Sequence, residues 1–224
     1  NVYAFITPSE FLKKKLSLNG FEEKRIHCIP TFTASKTTIG EQQIGSYGLY
    51  FGRVTEEKGV ETVIKAYEKL PEYTVKIMGD DTTDEAKRLK KYVENHKMKN
   101  VEFLGFKSGA ELENIIKGAR FTLIPSIWYD NLPNTALESF QYSKPVIASN
   151  IGSLPELVID GENGYLFKPS NVEDLIKKIK MLDDDTLVKK MGQASRKRLE
   201  SRFAPQTHYE DLMKIFNEAV KNRK

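Results

Sequence analysis

Asp130 and Glu138 stand eight residues apart in Trp128-Tyr129-Asp130-Asn131-Leu132-Pro133-Asn134-Thr135-Ala136-Leu137-Glu138-Ser139. The stretch directly follows an apolar run, Phe121 to Pro125. Two carboxylates at such a place first invite an acid–base pair. The local pattern gives them separate work. Pro133 fits the first turn of a helix. Behind it the amides of Asn134 and Thr135 lack intrahelical acceptors, and a helix N-terminus is a ready anion site. Asn134 and Glu138 share one helix face, while Ala136 and Phe140 mark the apolar one. Glu138 therefore meets the edge of the crevice, poorly placed to bind phosphate and well placed to accept hydrogen bonds from sugar hydroxyls. A solvated helix glutamate is the plain alternative.

A second cluster lies in Gly52-Arg53-Val54-Thr55-Glu56-Glu57-Lys58-Gly59. Arg53 leaves a strand and Lys58 sits where the next helix starts. Two cations on one loop suit a diphosphate, Arg by its fork and Lys as a point charge. Surface charge beside two glutamates fits the same residues. His27, His96 and His208 have no ligand spacing. Asp80-Asp81 reads as loop polarity and Asp183-Asp184-Asp185 as a helix-capping run, so no metal site is expected. No G-x-x-x-x-G-K-[ST] or G-x-G-x-x-G is present, which disfavours P-loop hydrolysis and nicotinamide chemistry.

These residues need elements to hold them, and the chain alternates strands and helices. Strands are expected at Tyr3 to Ile6 and Ile26 to Pro30. After a polar stretch, Thr31 to Ser46, they recur at Tyr47 to Phe51, Tyr73 to Met78, Val101 to Leu104, Phe121 to Pro125, Pro145 to Ala148 and Tyr165 to Phe167. Helical spacing of apolar residues fills most of the intervals. Capping boxes are expected at Thr7-Pro8-Ser9-Glu10 and Ser153-Leu154-Pro155-Glu156, and Ser170 with Glu173 is expected to cap a further helix. Strands apolar throughout mean a parallel sheet covered on both faces. The expected fold class is α/β, a doubly wound parallel sheet. Ligands then bind beyond the carboxyl ends of the strands, where both clusters lie.

The 224 residues carry a net charge of +4 with 29% charged and 39% hydrophobic residues. The excess suits an anionic ligand or a membrane surface. It is too small, and too Lys-rich along helix faces, to argue for nucleic acid. The single cysteine, Cys28, excludes an internal disulfide and suits a reducing cytoplasm. No apolar run approaches a membrane span. The chain opens on Asn1 and enters a strand at once, which reads as part of a longer protein.

Together these segments resemble the donor-binding half of retaining group 1 glycosyltransferases, enzymes of the two-domain GT-B fold. Gly52-Arg53 with Lys58-Gly59 resembles the family's G-R-x-x-x-x-K-G. Asp130 and Glu138 resemble its acid-x7-Glu signature. "IGSLPELVIDGENGYLF" resembles its G-x-P-E and D-G-x-x-G-x-L segments. The resemblance implies a Rossmann-like donor domain over 46–202. Residues 1–45 would be the closing segment of the acceptor domain plus a linker, and 203–224 a helix crossing back to that domain. It implies that Arg53, Lys58 and the amides of Asn134 and Thr135 hold the diphosphate of a nucleotide-sugar. Glu138 would bind the ribose and Asp130 the transferred sugar. Asn131 and Leu132 would complete the donor loop, with base contacts from backbone near Phe106. Arg53, Lys58, Asp130 and Glu138 are the expected catalytic set. No resident cofactor and no metal are implied; the donor is a UDP-sugar ahead of a GDP-sugar. The acceptor is a saccharide or lipid-linked saccharide held by the acceptor domain, at the inner membrane face or in the cytoplasm. Exposed terminal segments invite a homodimer. Two positions depart from the pattern. The first acid is Asp130 where Glu is usual, and Pro133 stands where Gly is usual and has no N–H to donate. A sugar-nucleotide epimerase of the same architecture and a non-catalytic binding subunit are the rival readings.

Overall fold

The computed structural model of the chain describes residues 2–33 and 42–222. Half of the expected linker, residues 34–41, lies outside the described residues. The first segment is a small parallel unit: β1 (Phe5–Thr7), α1 (Glu10–Leu18) and β2 (Ile26–Cys28), with β1 paired to β2. Six further strands follow, β3 (Tyr47–Phe51), β4 (Thr74–Met78), β5 (Val101–Gly105), β6 (Ala119–Ile124), β7 (Val146–Ser149) and β8 (Gly164–Phe167). They form one all-parallel sheet in the order β5-β4-β3-β6-β7-β8. The chain winds outward from β3 to one edge, returns beside β3 and winds to the other. That is the doubly wound arrangement, and its reversal point lies between β3 and β6.

Helices cover both faces. On one side α2 (Val60–Glu68), α3 (Asp84–Asn95) and α7 (Val172–Met181) bury Val63, Ile64, Tyr67, Leu89 and Ile179 against Tyr50, Ile77, Leu123 and Ile147. On the other, α4 (Gly109–Lys117) packs Ile116 near Leu49 and Phe51, and α5 (Asn134–Gln141) packs Ala136 and Phe140 on Val146 and Ala148. Alternate strand residues thus enter opposite cores. The central strands β3, β6 and β7 are mostly apolar on both faces for that reason, while Lys76 and Glu102 pair on β4 and the edge strand β5. The helices α6 (Leu154–Leu157), α8 (Asp185–Arg202) and α9 (Pro205–Lys221) complete the chain.

The tertiary structure moves three expected helix caps. Thr7 ends β1, so Ser9 becomes the N-cap of α1 and accepts from the Leu12 amide. Asn171, rather than Ser170, caps α7 by accepting from the Asp174 amide at 2.9 Å, while Ser170 takes a left-handed conformation. Ser153 precedes α6 but its hydroxyl does not cap that helix. It donates instead to the Asp130 carbonyl at 2.7 Å. A short side chain with two possible partners takes the one the fold brings near.

The Lys144 ammonium is buried and donates to the carbonyls of Gln43, Lys117 and Ala119 at 2.6–2.7 Å. Burial pushes its pKa down to about 8. This contact fastens the entry of the sheet domain to α4 and β6. At the far end, α9 returns to the first segment. His208 Nδ1 lies 2.7 Å from the Pro30 carbonyl, and Asn222 donates to the Tyr3 hydroxyl at 3.1 Å. Tyr209, Phe216 and Val220 on α9 are exposed.

Candidate functional site

The crevice opens where β3 and β6 part. A 3-10 turn, Glu56–Lys58, carries the loop after β3 into α2. Gly59 closes this turn at φ +67, and a Cβ there would sit 2.1 Å from the Pro125 carbonyl. Only glycine permits both the positive φ and that approach. The Ile127 amide donates to the Glu57 carbonyl at 3.0 Å. The loops after β3 and β6 are thereby stitched together, and Lys58 comes to face Asp130.

Lys58 and Asp130 form a largely buried ion pair, their side chains 21% and 17% exposed. The second Asp130 oxygen accepts from the Ser126 hydroxyl. Tyr50, beneath them, donates to the Arg53 carbonyl. Burial, then the Asp130 charge, raises the Tyr50 pKa, so its hydroxyl stays protonated. The sequence reading kept Lys58 and Asp130 on separate tasks; the structure joins them. Neither is exhausted. An ammonium has three donors, and a carboxylate about four lone-pair sites.

Arg53 is placed differently. Its side chain is 73% exposed and, among the described residues, pairs only with Glu57, at 3.8 Å. Helix α5 begins one residue later than expected, with Pro133 at the N-cap in an extended conformation. The Ala136 amide bonds back to Pro133, while the amides of Asn134 and Thr135 have no acceptor among the described residues. Glu138, one turn on, is half-buried with no hydrogen-bond partner recorded among the described residues, and burial raises its pKa.

Two cavities adjoin here. One, of about 310 Å³, is lined by Tyr50, Lys58, Ser126, Asp130, Asn131 and Leu132 among others. The next, of about 540 Å³, is lined by Met78, Asp80, Phe106, Lys107 and Glu138 among others. Phe51, Gly52, Arg53 and Thr135 line both. Arg53 and Thr135 therefore stand between the smaller chamber and a wider, more apolar one. Every sequence-derived site residue borders one chamber or both. Ser126, Tyr50 and Ser153 escaped the sequence reading. Ser126 had a signal, being the first polar residue after β6. The hydroxyls of Tyr50 and Ser153 had none, because their partners are backbone carbonyls brought near by folding. Among the described residues no group of three or more His, Cys, Asp or Glu is arranged to hold a metal ion.

Residues 38–198 match the family model described as glycosyl transferases group 1. The chain belongs to the group 1 glycosyltransferases. Among the curated relatives of this group 1 member, glycosyltransferase MJ1178 of Methanocaldococcus jannaschii is 30% identical over 174 residues, covering 77% of this chain and 48% of the relative. Glycogen synthase of Mycobacterium tuberculosis is 31% identical over 186 residues, covering 79% and 42%. The chain thus spans about half the length of the curated relatives it matches. A glycosyltransferase from Rickettsia africae superposes with a TM-score of 0.89 at 21% identity, over 98% of this chain and 64% of that one. Anabaena HepE, solved with UDP and glucose, superposes with a TM-score of 0.86 at 19% identity, over 96% and 63%. These likenesses give the group 1 chain the Rossmann-like sheet of GT-B glycosyltransferases. No helix among the described residues is long and apolar enough to cross a membrane.

Proposed function

We propose that the chain is the donor-binding part of a retaining glycosyltransferase that takes its sugar from a nucleotide-diphosphate sugar. The observation that carries this reading is the division of the crevice. The exposed Arg53 guanidinium and Thr135 border both chambers, and the amides of Thr135 and of its neighbour Asn134 have no acceptor among the described residues. A diphosphate at that divide meets oriented donors on both sides. Its nucleoside enters the wider chamber, where Glu138 accepts from the ribose hydroxyls and the base lies against backbone near Phe106. Its sugar enters the chamber of Lys58, Asp130 and Asn131. Residues 46–202 form this donor domain, residues 1–45 close the acceptor domain and supply a linker, and 203–224 cross back to it.

The chemistry follows from that placement. The bond between the anomeric carbon and the diphosphate oxygen breaks, and the leaving diphosphate gains charge. Arg53, Lys58 and the α5 amides stabilise that charge without reorganising. The acceptor oxygen bonds to the same face of the sugar, and its proton passes to the leaving oxygen. Asp130 orients the sugar through its free lone pairs. No metal is needed for this charge balance. UDP is favoured over GDP, a reading that HepE, bound to UDP and glucose, supports. The acceptor is a saccharide or lipid-linked saccharide carried by the acceptor domain, at the cytoplasmic membrane face.

Calorimetry tests the site. The chain is expected to bind UDP more tightly than GDP, and Arg53→Ala and Glu138→Ala each to weaken it. If neither nucleotide binds, the reading fails. A 224-residue chain that transferred sugar unaided would overturn the assignment of the acceptor to another domain.

A further inference from the structure

Helix α1 lies outside the sheet, yet three consecutive residues of the loop after β6 are tied to it or to the turn it grips. Its N-terminal amides are satisfied by another part of the chain. Glu10 and Phe11 donate to the two carboxylate oxygens of Glu156 at 2.8 and 2.6 Å. Leu12 donates to the Ser9 hydroxyl at 3.2 Å. A carboxylate on the first turn of a helix is favoured by both hydrogen bonding and the helix dipole.

Glu156 sits in the same short turn as Ser153. Ser153 donates to the Asp130 carbonyl twice, from its amide at 3.2 Å and its hydroxyl at 2.7 Å. Gly152 allows this grip. It takes φ +61, and a Cβ there would stand 3.1 Å from the same carbonyl. Asp130 is thus fixed by its backbone from the side of α6 and by its side chain from Lys58 and Ser126.

Asn131 is held directly. The Ser9 hydroxyl accepts from Leu12, so its proton is free to donate, and it does so to Asn131 Oδ1 at 2.8 Å. That bond fixes the orientation of the amide. Its oxygen already accepts one bond from Ser9, and its NH2 group is left to donate into the chamber that Asn131 lines. Tyr129 packs on Phe11 with ring centroids 4.9 Å apart, and the Lys15 ammonium lies 5.1 Å from the Tyr129 ring centre. Thr135, Glu138 and Arg53, on the nucleotide side, have no recorded tie to α1 among the described residues.

We propose that α1 is a positioning clamp for the sugar side of the donor site, setting Asp130 through Glu156 and Ser153, and Asn131 through Ser9. This rests on the nucleotide-sugar reading above. Ser9, Ser153 and Glu156 are positioning residues and touch no substrate. The arrangement divides the site into two parts of unequal dependence. Nucleotide affinity is set by the sheet domain alone. Recognition of the attached sugar is set by a segment that precedes the linker, so movement of that segment is felt at Asp130 and Asn131.

Calorimetry of the parent chain, Ser9→Ala and Glu156→Gln with UDP and with UDP-glucose provides the test. UDP is expected to bind the variants within about twofold of the parent, which also reports an intact sheet domain. UDP-glucose is expected to weaken about tenfold. Parallel weakening of both ligands, or of neither, overturns the clamp. In an Asp130→Asn background Glu156→Gln is expected to have little further effect on UDP-glucose; full additivity also overturns it. Amide hydrogen exchange without ligand gives an independent arm. Residues 127–132 should exchange faster in Glu156→Gln while β3 and β6 stay protected, and an unchanged loop counts against the clamp. A parent that binds no nucleotide removes the proposed function and this inference with it. A parent that binds UDP beside variants that match it removes the clamp alone.

Discussion

The two sides of the crevice are built on opposite plans. On the sugar side, Lys58, Asp130, Ser126 and Ser153 satisfy one another before any ligand arrives. On the nucleotide side Arg53 is mostly in water, and among the described residues neither Glu138 nor the amides of Asn134 and Thr135 have a hydrogen-bond partner. Buried charge without a counter-charge is costly. The sugar side therefore holds its cation and anion as a pair, while the nucleotide side leaves its groups for a ligand to complete. Order is present in advance on one side and supplied by binding on the other.

The sharpest way to break this contrast is Lys58→Ala. It leaves the Asp130 carboxylate partly buried without its cation. Unfolding free energy is expected to fall by about 2 kcal/mol, less than for a fully buried pair because both side chains keep some solvent. UDP affinity is expected to fall about a hundredfold. Chemical denaturation and calorimetry read the two effects. Unchanged stability would mean that the pair does not order the sugar side.

Glu138→Gln probes the other plan, with an effect of about tenfold on UDP affinity. Inorganic pyrophosphate, which has no ribose, should bind the variant as it binds the parent. The pH dependence follows from the raised pKa. A carboxyl with a raised folded-state pKa contributes stability at low pH and loses it as pH rises through that pKa. Ionised Glu138 therefore costs the free chain stability near neutrality. The glutamine variant should melt slightly higher than the parent at pH 7, with the gain fading toward pH 4. A variant that melts lower at pH 7 would show that Glu138 has a structural partner after all.

Arg53→Lys should leave stability within about 0.5 kcal/mol, since its pairing with Glu57 is solvent-exposed. It should weaken UDP about fivefold through loss of the guanidinium fork. Equal loss of stability and affinity would remove the distinction between the two sides. Pro133→Gly is the smallest change. It is expected to cost about 0.5 kcal/mol through a freer unfolded chain, while offering one more N–H at the divide and holding or improving UDP affinity. A large affinity loss would assign Pro133 a direct contact.

The sheet was legible because a strand buried on both faces must be apolar throughout. Tyr47–Phe51 and Val146–Ser149 show this within a residue or two of the expected spans. The caps were less legible. Thr7, Ser153 and Ser170 have suitable side chains at suitable spacing, but Thr7 turns to the Ser9 carbonyl, Asn171 takes the cap beside Ser170, and Ser153 finds the Asp130 carbonyl 23 residues earlier. The expected groups around the crevice could be named because residues following strands in a doubly wound sheet converge by topology. Which of them pair could not.

The sequence by itself determined the strand-and-helix rhythm, the sheet type and the glycines and charges at the strand ends. Each depends on local periodicity or on backbone freedom at one position. Only the tertiary structure decided that Lys58 faces Asp130 across 72 residues and that Glu156 caps a helix 145 residues earlier. Contacts of that kind depend on where two loops meet, and no local pattern encodes the meeting.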